Sequence, residues 1–556
     1  MTENYLNILA ETIRTNWDQP ALTDFYLTED GTAQDTSRGN HYTYGEMYAE
    51  LCRVADLLTA LGLKKGDHIA ICGANSAHWA IAYLAIAKMQ GVSVTVMHTL
   101  MPDEIARLVN FSDAKALFTD PDIWAELKSQ PMPQVANIIS LENFESLASG
   151  TSIIASNASS ASSSSSASSA SSASSASSAS SASSETRASS PSSPSSPSIV
   201  SFPPSAPDSL AMICFTSGTS GSAKGVMLSM RSISNNVAYK LDLFSRYVGT
   251  NVLAILPFAH IYGLVIELLL PLCAGAITNI IISNSISIKN IISSCIILSP
   301  KIIFVVPRLI EYLINENYNL KRLFKGLDFL SVGGAELKNE VEKKLQQNNI
   351  GIAIGYGTTE CGTRITLATA QEYKSGSVGK VVSGLELKIA DTGEILVKGE
   401  NVMLGYYKDP AATAAKIDSD GWLHTGDKGH LDEDGYLYVE GRLEQDIIVL
   451  PNGENIRPDN IESLINVLPE VSESIVLARD GHLVAIVVPS RESSETRETS
   501  ETSETSASSP SSSLRRMILR AVNPQLPLFS QLYDVEITDQ PLARTEKQTL
   551  KRYLYS

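Results

Sequence analysis

The chain has 556 residues and a formal net charge of −17, and 43% of its residues are hydrophobic. This length predicts several domains, and the hydrophobic fraction is sufficient for large buried cores. The acidic balance argues against general nucleic-acid binding, since phosphate backbones bind basic surfaces, but it leaves room for local basic sites that hold a nucleotide.

The sequence also bears on the compartment of the protein. Six cysteines lie scattered without CxxC spacing, which favours a reducing compartment and predicts no metal cluster. The N-terminal stretch MTENYLNILAETIR lacks the apolar core of a signal peptide. Leu264 to Ile282 is apolar, but Glu267 and Pro271 interrupt it, so we expect buried core rather than a membrane span. We therefore expect a cytoplasmic protein with at most peripheral membrane contact. The oligomeric state is not predicted.

The first part of the chain alternates helical and strand patterns. The predicted strands are His68 to Cys72, Val92 to Met97 and Ala114 to Thr119, and the predicted helices are Tyr44 to Leu61, Ala77 to Gly91 and Met101 to Phe111. Helices and strands that alternate at this spacing are typical of an α/β domain with a largely parallel sheet.

Two segments of low complexity interrupt this texture. Ala155 to Ser198 is a Ser/Ala repeat with a period near three, and Ser490 to Ser513 is rich in Ser, Thr and Glu. A period of three fits neither helix nor strand, and neither segment has large apolar residues to bury. We expect two disordered insertions, at about 152–205 and about 490–513, with no catalytic residues.

The stretch Ile213 to Val226, ICFTSGTSGSAKGV, predicts a strand, a tight loop and a second strand. Its glycines let the backbone approach a ligand, and its hydroxyl groups and one lysine can bind phosphate. The candidate ligands of a polyphosphate are Thr216, Ser217, Gly218, Thr219, Ser220, Gly221 and Lys224. The composition alone equally fits a flexible surface turn, and no Walker A pattern passes through it.

Three later stretches place polar loops after short apolar strands. They are LPFAHIYGL (Leu256 to Leu264), FLSVGGAEL (Phe329 to Leu337) and GIAIGYGTTECG (Gly351 to Gly362). Ligands of open α/β sheets bind at strand ends, so these loops are candidate site elements. A lone histidine such as His260 is more often structural than catalytic.

The last third of the chain predicts hairpins and then a smaller α+β unit. Leu385 to Val397 alternates apolar and polar residues around an Asp-Thr-Gly turn, which predicts a β-hairpin. Beyond Arg442 we expect strands at Ile447 to Leu450, Ser474 to Leu477, His482 to Val488 and Val535 to Ile537, and helices at Pro458 to Leu468 and Leu514 to Val522. We therefore place a domain boundary between residues 442 and 443.

Taken together, these motifs resemble the adenylate-forming (AMP-binding) superfamily, and most of all its long-chain fatty acid–CoA ligases. FTSGTSGSAKGV is similar to the family's phosphate loop, and YGTTE (Tyr356 to Glu360) to its adenine and magnesium motif. WLHTGD (Trp422 to Asp427) and Gly441-Arg442 resemble its ribose-binding motifs, and PNGENIRPDNIE resembles the stretch after its hinge. The motifs occur in the family's order and cover the chain apart from the two insertions. The resemblance implies a large N-terminal α/β domain at 1–442 and a smaller, mobile α+β lid domain at 443–556.

The resemblance also implies ATP, Mg²⁺ and coenzyme A as cofactors, and a fatty acid with coenzyme A as substrates. Thr216 to Lys224 would hold the β- and γ-phosphates, with Thr216 also near the metal. Glu360 would bind Mg²⁺, Thr359 would contact the α-phosphate, and Asp427 would accept the ribose hydroxyls. The adenine would be framed by Gly333, Gly334, Ala335, Tyr356 and Gly357, with Arg442 near the ribose and His260, Tyr262 and Gly263 along the acyl tunnel.

The chain departs from the family pattern at two places. The stretch after Gly441-Arg442 is one residue longer than usual, so the hinge falls near Gln445 or Asp446. Near the C-terminus, the family's catalytic lysine aligns with Thr549, which lies between Lys547 and Lys551. We select Lys547 as the replacement, because it sits in the more loop-like part.

These observations predict an ATP-dependent ligase that activates a medium- or long-chain fatty acid as its adenylate and transfers it to coenzyme A. Two alternatives remain open. The enzyme could load the acyl group onto a carrier protein, or the chain could be a degenerate nucleotide- or acyl-binding protein, as the uncharged Thr549 would suggest.

Overall fold

The computed structural model describes residues 3–28, 34–35, 38–149, 197, 200–216, 223–282, 287–334, 337–442, 448–450, 454–479, 481–490, 510–542 and 552–555. Most of each predicted insertion lies outside these ranges, as do residues 217–222 of the predicted phosphate loop and residues 543–550 with Lys547. Residues 200–205 and 510–513 are described, and a helix covers Pro510–Val522, so the predicted disorder does not extend over these residues.

The strands and helices are numbered along the chain. The strands are β1 (Pro20–Phe25), β2 (His41–Thr43), β3 (His68–Cys72), β4 (Val92–Thr95), β5 (Ala116–Thr119), β6 (Asn137–Ser140), β7 (Ser146–Ser149), β8 (Leu210–Thr216), β9 (Lys224–Ser229), β10 (Asn251–Ala254), β11 (Ile277–Ile281), β12 (Ile302–Val305), β13 (Phe329–Val332), β14 (Gly351–Tyr356), β15 (Thr366–Ala368), β16 (Lys380–Val381), β17 (Leu385–Ile389), β18 (Glu394–Gly399), β19 (Gly405–Tyr406), β20 (Leu423–Leu431), β21 (Leu437–Arg442), β22 (Ile448–Val449), β23 (Asn455–Ile456), β24 (Val471–Arg479), β25 (His482–Pro489) and β26 (Leu532–Ile537). The α-helices are α1 (Tyr5–Thr15), α2 (Tyr44–Ala60), α3 (Ala77–Lys88), α4 (Pro102–Phe111), α5 (Pro121–Leu127), α6 (Met230–Ala238), α7 (Leu241–Phe244), α8 (Leu270–Cys273), α9 (Ile288–Leu298), α10 (Pro307–Asn315), α11 (Leu320–Leu323), α12 (Asn339–Gln347), α13 (Pro410–Lys416), α14 (Pro458–Asn466) and α15 (Pro510–Val522). A π-helical turn at Gly263–Leu269 leads into α8.

Two large sheets form the N-terminal part. One has the strand order β19-β9-β8-β4-β3-β5-β6-β7, with parallel pairing from β8 through β4, β3 and β5 to β6. The other has the order β16-β15-β14-β13-β12-β10-β11-β1-β2, with a parallel centre from β14 to β1 and antiparallel edges. The prediction of an α/β domain with largely parallel sheets is confirmed.

The main core lies between these sheets around α3. This helix contacts β1 of one sheet and β3 and β4 of the other, and all of its residues from Ala77 to Ala87 are buried. Its sequence is apolar on every side, as expected for a helix packed on all faces.

The preceding helix α2 begins with a capping box, in which Thr43 and Glu46 satisfy each other's backbone N–H groups.

A four-stranded antiparallel sheet with the order β17-β18-β20-β21 completes the N-terminal part. It contains both the predicted hairpin and the Trp422 to Asp427 motif. The C-terminal part forms a separate three-stranded sheet, β24-β25-β26, and a two-stranded ribbon, β22-β23. Its core includes residues of α14, α15 and β24 to β26, which confirms the smaller α+β unit.

The apolar stretch 264–282 is buried core, as predicted. It forms most of the π-helical turn, then α8 and β11, and Glu267 is fully buried within it. Within the described ranges, no helix has both the length and the apolarity needed to cross a membrane.

Candidate functional site

The predicted phosphate loop connects two strands that pair with each other. β8 and β9 are antiparallel, with Phe215 opposite Gly225 and Thr216 opposite Lys224. The two predicted strands are therefore confirmed. Residues 217–222, which include the candidates Ser217, Gly218, Thr219, Ser220 and Gly221, lie outside the described residues. Thr216 and Lys224, which lie on either side of this segment, are opposite each other in the strand ladder.

Lys224 and Glu360 both contact one tyrosine, Tyr406 of β19. The Lys224 ammonium lies 5.0 Å from the centre of the Tyr406 ring, a cation–π geometry. The Tyr406 hydroxyl donates a 2.7 Å hydrogen bond to Glu360 Oε1. Tyr406 is placed there because β19 pairs antiparallel with β9, with Tyr406 opposite Val226. The base of the phosphate loop and the YGTTE motif therefore meet through this side chain.

The carboxylate of Glu360 fits a magnesium site of the kind that nucleotides complete. It projects from a short 3₁₀ turn, Thr359–Cys361, directly after β14. Among the described residues, no cluster of three or more His, Cys, Asp or Glu side chains could hold a metal by itself. Mg²⁺ is commonly bound by one or two carboxylates together with substrate phosphates, so one carboxylate beside a phosphate loop fits the metal's preference.

The nucleoside end of the predicted site is marked by a second tyrosine–carboxylate pair. The Tyr356 hydroxyl donates a 2.6 Å hydrogen bond to Asp427 Oδ2. Asp427 lies on β20 and is only 5% exposed. Burial, and then the negative charge of Asp427, raise the pKa of the Tyr356 hydroxyl well above its ordinary value. Tyr356 is therefore a stable hydrogen-bond donor that orients the aspartate.

Tyr356 and Glu360 connect the two ends of the site. They are four residues apart on one strand–turn segment, and the following strand β15 pairs back with β14, with Thr366 opposite Tyr356. Arg442 lies opposite Asp427 in the β20–β21 ladder, so the two sequence-predicted ribose residues are neighbours in register.

Tyr262, one of the predicted acyl-site residues, lies very close to Gly333 of the predicted adenine loop. A Cβ atom on Gly333 would lie 2.6 Å from the Tyr262 hydroxyl oxygen, so only glycine leaves room for this tyrosine. Gly334, next along the chain, has a φ of +82°, a conformation that glycine adopts without strain. Ala335 lies outside the described residues.

His260 is held as a neutral side chain. Its side chain is exposed, yet the surrounding protein desolvates it enough to lower its pKa to about 4. The backbone N–H of Tyr262 donates to His260 Nδ1 over 3.2 Å. A neutral imidazole that accepts at Nδ1 carries its proton on Nε2, so His260 retains a hydrogen-bond donor at Nε2.

The backbone that carries His260 is fixed by a buried carboxyl group. Glu267 Oε2 accepts hydrogen bonds from the N–H groups of Ile255, at 2.9 Å, and Leu256, at 2.7 Å. At the end of the loop, a Cβ atom on Gly263 would collide with the Pro257 carbonyl oxygen. The sequence shows Glu267 only as an interruption of an apolar stretch, so its part in holding this loop was missed.

Tyr406 was also missed by the sequence analysis. No local pattern in Gly405 to Tyr407 indicates that this strand adds to the edge of the sheet beside β9. Its role depends on a hydrogen bond between residues 46 positions apart in the chain.

Comparison with known proteins identifies the fold and family. The AMP-binding enzyme family matches residues 9–407, and the AMP-binding enzyme C-terminal domain matches residues 445–555. The chain belongs to the AMP-binding enzyme family. The expected superfamily and the expected fold, a large N-terminal α/β domain with a smaller C-terminal domain, are thus confirmed.

The relatives of this AMP-binding enzyme include plant ligases. It is 28% identical over 485 residues to 4-coumarate–CoA ligase 3 of Arabidopsis thaliana, covering 82% of this chain and 78% of that protein. Among solved structures, o-succinylbenzoate CoA synthetase of Bacillus subtilis matches 98% of the chain with a TM-score of 0.68 and 21% identity, and 97% of that protein is covered. A fatty acyl CoA synthetase of Mycobacterium tuberculosis matches 99% of the chain with a TM-score of 0.59 and 21% identity, and 97% of that protein is covered. These structures establish the fold, while the special likeness to long-chain fatty acid ligases stays a prediction.

Proposed function

We propose that this enzyme activates a carboxylic acid with ATP and transfers the acyl group to coenzyme A. The observation that carries the proposal is the pair of tyrosine–carboxylate contacts, Tyr356 to Asp427 and Tyr406 to Glu360, at the two ends of one strand–turn segment. Tyr356 and Glu360 are four residues apart in the chain. A nucleotide would span them, with its ribose at Asp427 and its phosphates at the β8–β9 hairpin.

The proposed reaction has two steps. The acid's carboxylate attacks the α-phosphorus of ATP, pyrophosphate leaves, and an acyl-adenylate forms. The thiol of coenzyme A then attacks the acyl carbon and AMP leaves. Such chemistry is carried mainly by positioning and by stabilisation of charge on the phosphates.

Each described residue has a part in this proposal. Asp427 accepts the ribose hydroxyls, with Arg442 beside it, and Tyr356 stacks on adenine while its hydroxyl holds the aspartate. Thr216 and Lys224 flank the leaving pyrophosphate, and Thr359 lies near the α-phosphate. Bound Mg²⁺ would neutralise phosphate charge, and Glu360 with Thr216 would hold it. Lys547 is proposed to reach the reacting carboxylate.

The acid itself is proposed at the class level. The sequence favours a medium- or long-chain fatty acid, while the relatives named 4-coumarate–CoA ligases favour an aromatic acid. Both classes would enter beside His260, Tyr262 and Gly263. The Tyr262 hydroxyl against Gly333 places a polar group in this region, which favours an acid with polar substituents over a plain alkyl chain.

The test is acid-dependent ATP–pyrophosphate exchange, followed by thioester formation with coenzyme A. The acid panel should contain saturated fatty acids, hydroxycinnamic acids, benzoic acids and dicarboxylic acids. Asp427→Asn should lower kcat/KM for ATP by about 100-fold, since it removes a charged acceptor of ribose hydrogen bonds. Asp434→Asn is the matched control, because Asp434 is an exposed carboxylate on the same hairpin, and it should leave activity unchanged.

The same experiment decides between this proposal and its alternatives. Exchange without thioester formation, followed by transfer to an acyl carrier protein, would replace coenzyme A with a carrier as the acceptor. ATP binding without exchange for any acid, and without any effect of Lys547→Ala, would show a binding protein and refute the proposed function.

A further inference from the structure

One buried cation in the N-terminal part has no anionic partner among the described residues. Arg364 follows the YGTTE turn by four residues and is only 7% exposed. Its Nη1 donates to the Asn236 carbonyl oxygen at 2.8 Å. Among the described residues, no carboxylate lies within ion-pair distance of Arg364, whereas Arg552 of the C-terminal part donates from Nη2 to Glu462 at 2.8 Å.

The backbone around Arg364 is held on both sides. Its N–H donates to Asn236 Oδ1 at 2.9 Å, and its carbonyl oxygen accepts from Asn401 Nδ2 at 2.8 Å. Both asparagines are buried. The position of this arginine is therefore fixed by the fold, as a recognition group requires.

The guanidinium has donors to spare. Arginine carries five N–H donors in a planar fork, and the only acceptor for the Arg364 fork among the described residues is the Asn236 carbonyl. The 7% exposure of the residue leaves part of it in contact with accessible space.

Arg364 is adjacent to the proposed acid site. Thr363, the residue before Arg364, packs against Gly357 of the YGTTE motif. A Cβ atom on Gly357 would collide with the Thr363 carbonyl oxygen. On the acyl side, burial raises the pKa of the Tyr262 hydroxyl. The positive charge of Arg364 partly offsets this rise, so the Arg364 and Tyr262 side chains lie close together. Arg364 therefore lies between the nucleotide motif and the acyl wall.

The backbone before Arg364 is strained. Thr363 has a φ of +115°, which is an outlier for a β-branched residue. Such conformations are unfavourable and persist mainly at functional sites. A buried arginine without an anion adds a desolvation cost, unless a ligand supplies the negative charge.

We propose that the acid substrate carries a second anionic group, a carboxylate distant from the reacting one, and that the free edge of the Arg364 guanidinium binds it. Arg and carboxylate match as planar, bidentate partners. This inference rests on the proposed function, because it names the acid that the same site accepts. It predicts a dicarboxylic acid rather than a fatty acid or a simple aromatic monoacid.

The experiment compares pairs of acids that differ only in the second carboxylate, such as hexanoate with adipate and cinnamate with 4-carboxycinnamate. ATP–pyrophosphate exchange should favour the better diacid by at least about 100-fold in kcat/KM, since a site built for a polar group discriminates strongly against analogues that lack it. Arg364→Met should lower kcat/KM for the diacid by about 100-fold and leave the monoacid within about threefold. Arg364→Lys should retain part of the preference, because lysine keeps the charge but not the fork.

The control variant is Arg246→Met, in which an arginine stacked on Tyr247 is removed outside the proposed site, and it should keep the preference. Thermal unfolding and ATP affinity, measured for each variant, show whether the protein has folded. Equal loss with monoacids and diacids in folded Arg364→Met would mean that Arg364 serves the reacting carboxylate or the fold, and would overturn the inference. Exchange that prefers monoacids in the unmodified enzyme would overturn it while preserving the proposed function. Exchange with no acid at all would remove the proposed function itself.

Discussion

The buried Glu267 makes a testable prediction about stability and pH. Oε2 accepts two backbone hydrogen bonds, from Ile255 and Leu256, while Oε1 is buried with no hydrogen-bond partner among the described residues. Burial raises the pKa of this carboxyl well above its ordinary value of 4.5. The side chain is therefore a neutral acid that anchors the loop before His260.

The substitution Glu267→Gln keeps the shape and the accepting oxygen. It also places an amide nitrogen, with two N–H donors, where Oε1 of the neutral acid carries a single O–H donor without a partner among the described residues. Leaving one more buried donor unpaired costs about 1–3 kcal/mol, so the variant should be less stable than the original protein near pH 5.

The pH dependence has a defined sign. Above about pH 4.5 the unfolded chain has lost the Glu267 proton while the folded protein retains it, so the free energy of unfolding falls by about 1.4 kcal/mol per pH unit up to the raised pKa. Glutamine does not titrate. The advantage of the original protein over Glu267→Gln should therefore shrink steadily as the pH rises above about 4.5.

The assay is urea unfolding at several pH values, followed by tryptophan fluorescence. All four tryptophans, Trp17, Trp79, Trp124 and Trp422, lie in the N-terminal part with Glu267, so fluorescence follows the unfolding of that part. Glu433→Gln, at an exposed position, controls for the loss of a surface charge. A difference between the original protein and Glu267→Gln that stays constant with pH would refute the assignment of a neutral buried acid.

Three further predictions concern the nucleotide and the acid. Tyr406→Phe removes the hydroxyl that orients Glu360 and should raise KM for MgATP about tenfold, the equivalent of a lost hydrogen bond to a charged group. KM for coenzyme A should stay unchanged. An unaltered KM for MgATP would contradict the proposal that Glu360 binds the metal. Tyr356→Phe should weaken ATP binding by a similar factor in calorimetry, because Asp427 loses its donor, and unchanged affinity would show that the contact is not used. His260 has a pKa of about 4, so it stays neutral at neutral pH. His260→Gln should therefore leave the shape of the pH profile of kcat/KM unchanged between about pH 6 and about pH 8. An inflection in this range that vanishes in the variant would contradict the prediction.

Much of the fold could be predicted because its signals are local. Strands β3, β8 and β14 are short apolar runs bounded by turn residues, and the helices between them have clear apolar spacing. The motif order could then place Tyr356, Glu360 and Asp427 in one site, because each motif is contiguous and sits directly on a strand end.

The contacts between motifs could not be predicted in this way. Tyr406 reaches Glu360 only because β19 adds to the edge beside β9. Arg364 is one of many arginines in the sequence. Only the folded structure shows that no carboxylate among the described residues lies within ion-pair distance of it. Periodicity reports which face of an element is buried, but it carries no information on which buried polar groups meet.

The charges around the nucleotide site explain why the tyrosines are needed. In the proposed site, Asp427 and Glu360 are carboxylates that would lie near a bound polyphosphate, and like charges repel. Tyr356 and Tyr406 donate to them without adding charge, and burial, followed by the adjacent carboxylate, raises the pKa of both hydroxyls, so neither can serve as a base at neutral pH. The tyrosines can orient the carboxylates but cannot neutralise the phosphates. That requires cations, and we propose Lys224, whose ammonium lies 5.0 Å from the centre of the Tyr406 ring, as one of them and Mg²⁺ on Glu360 as a second.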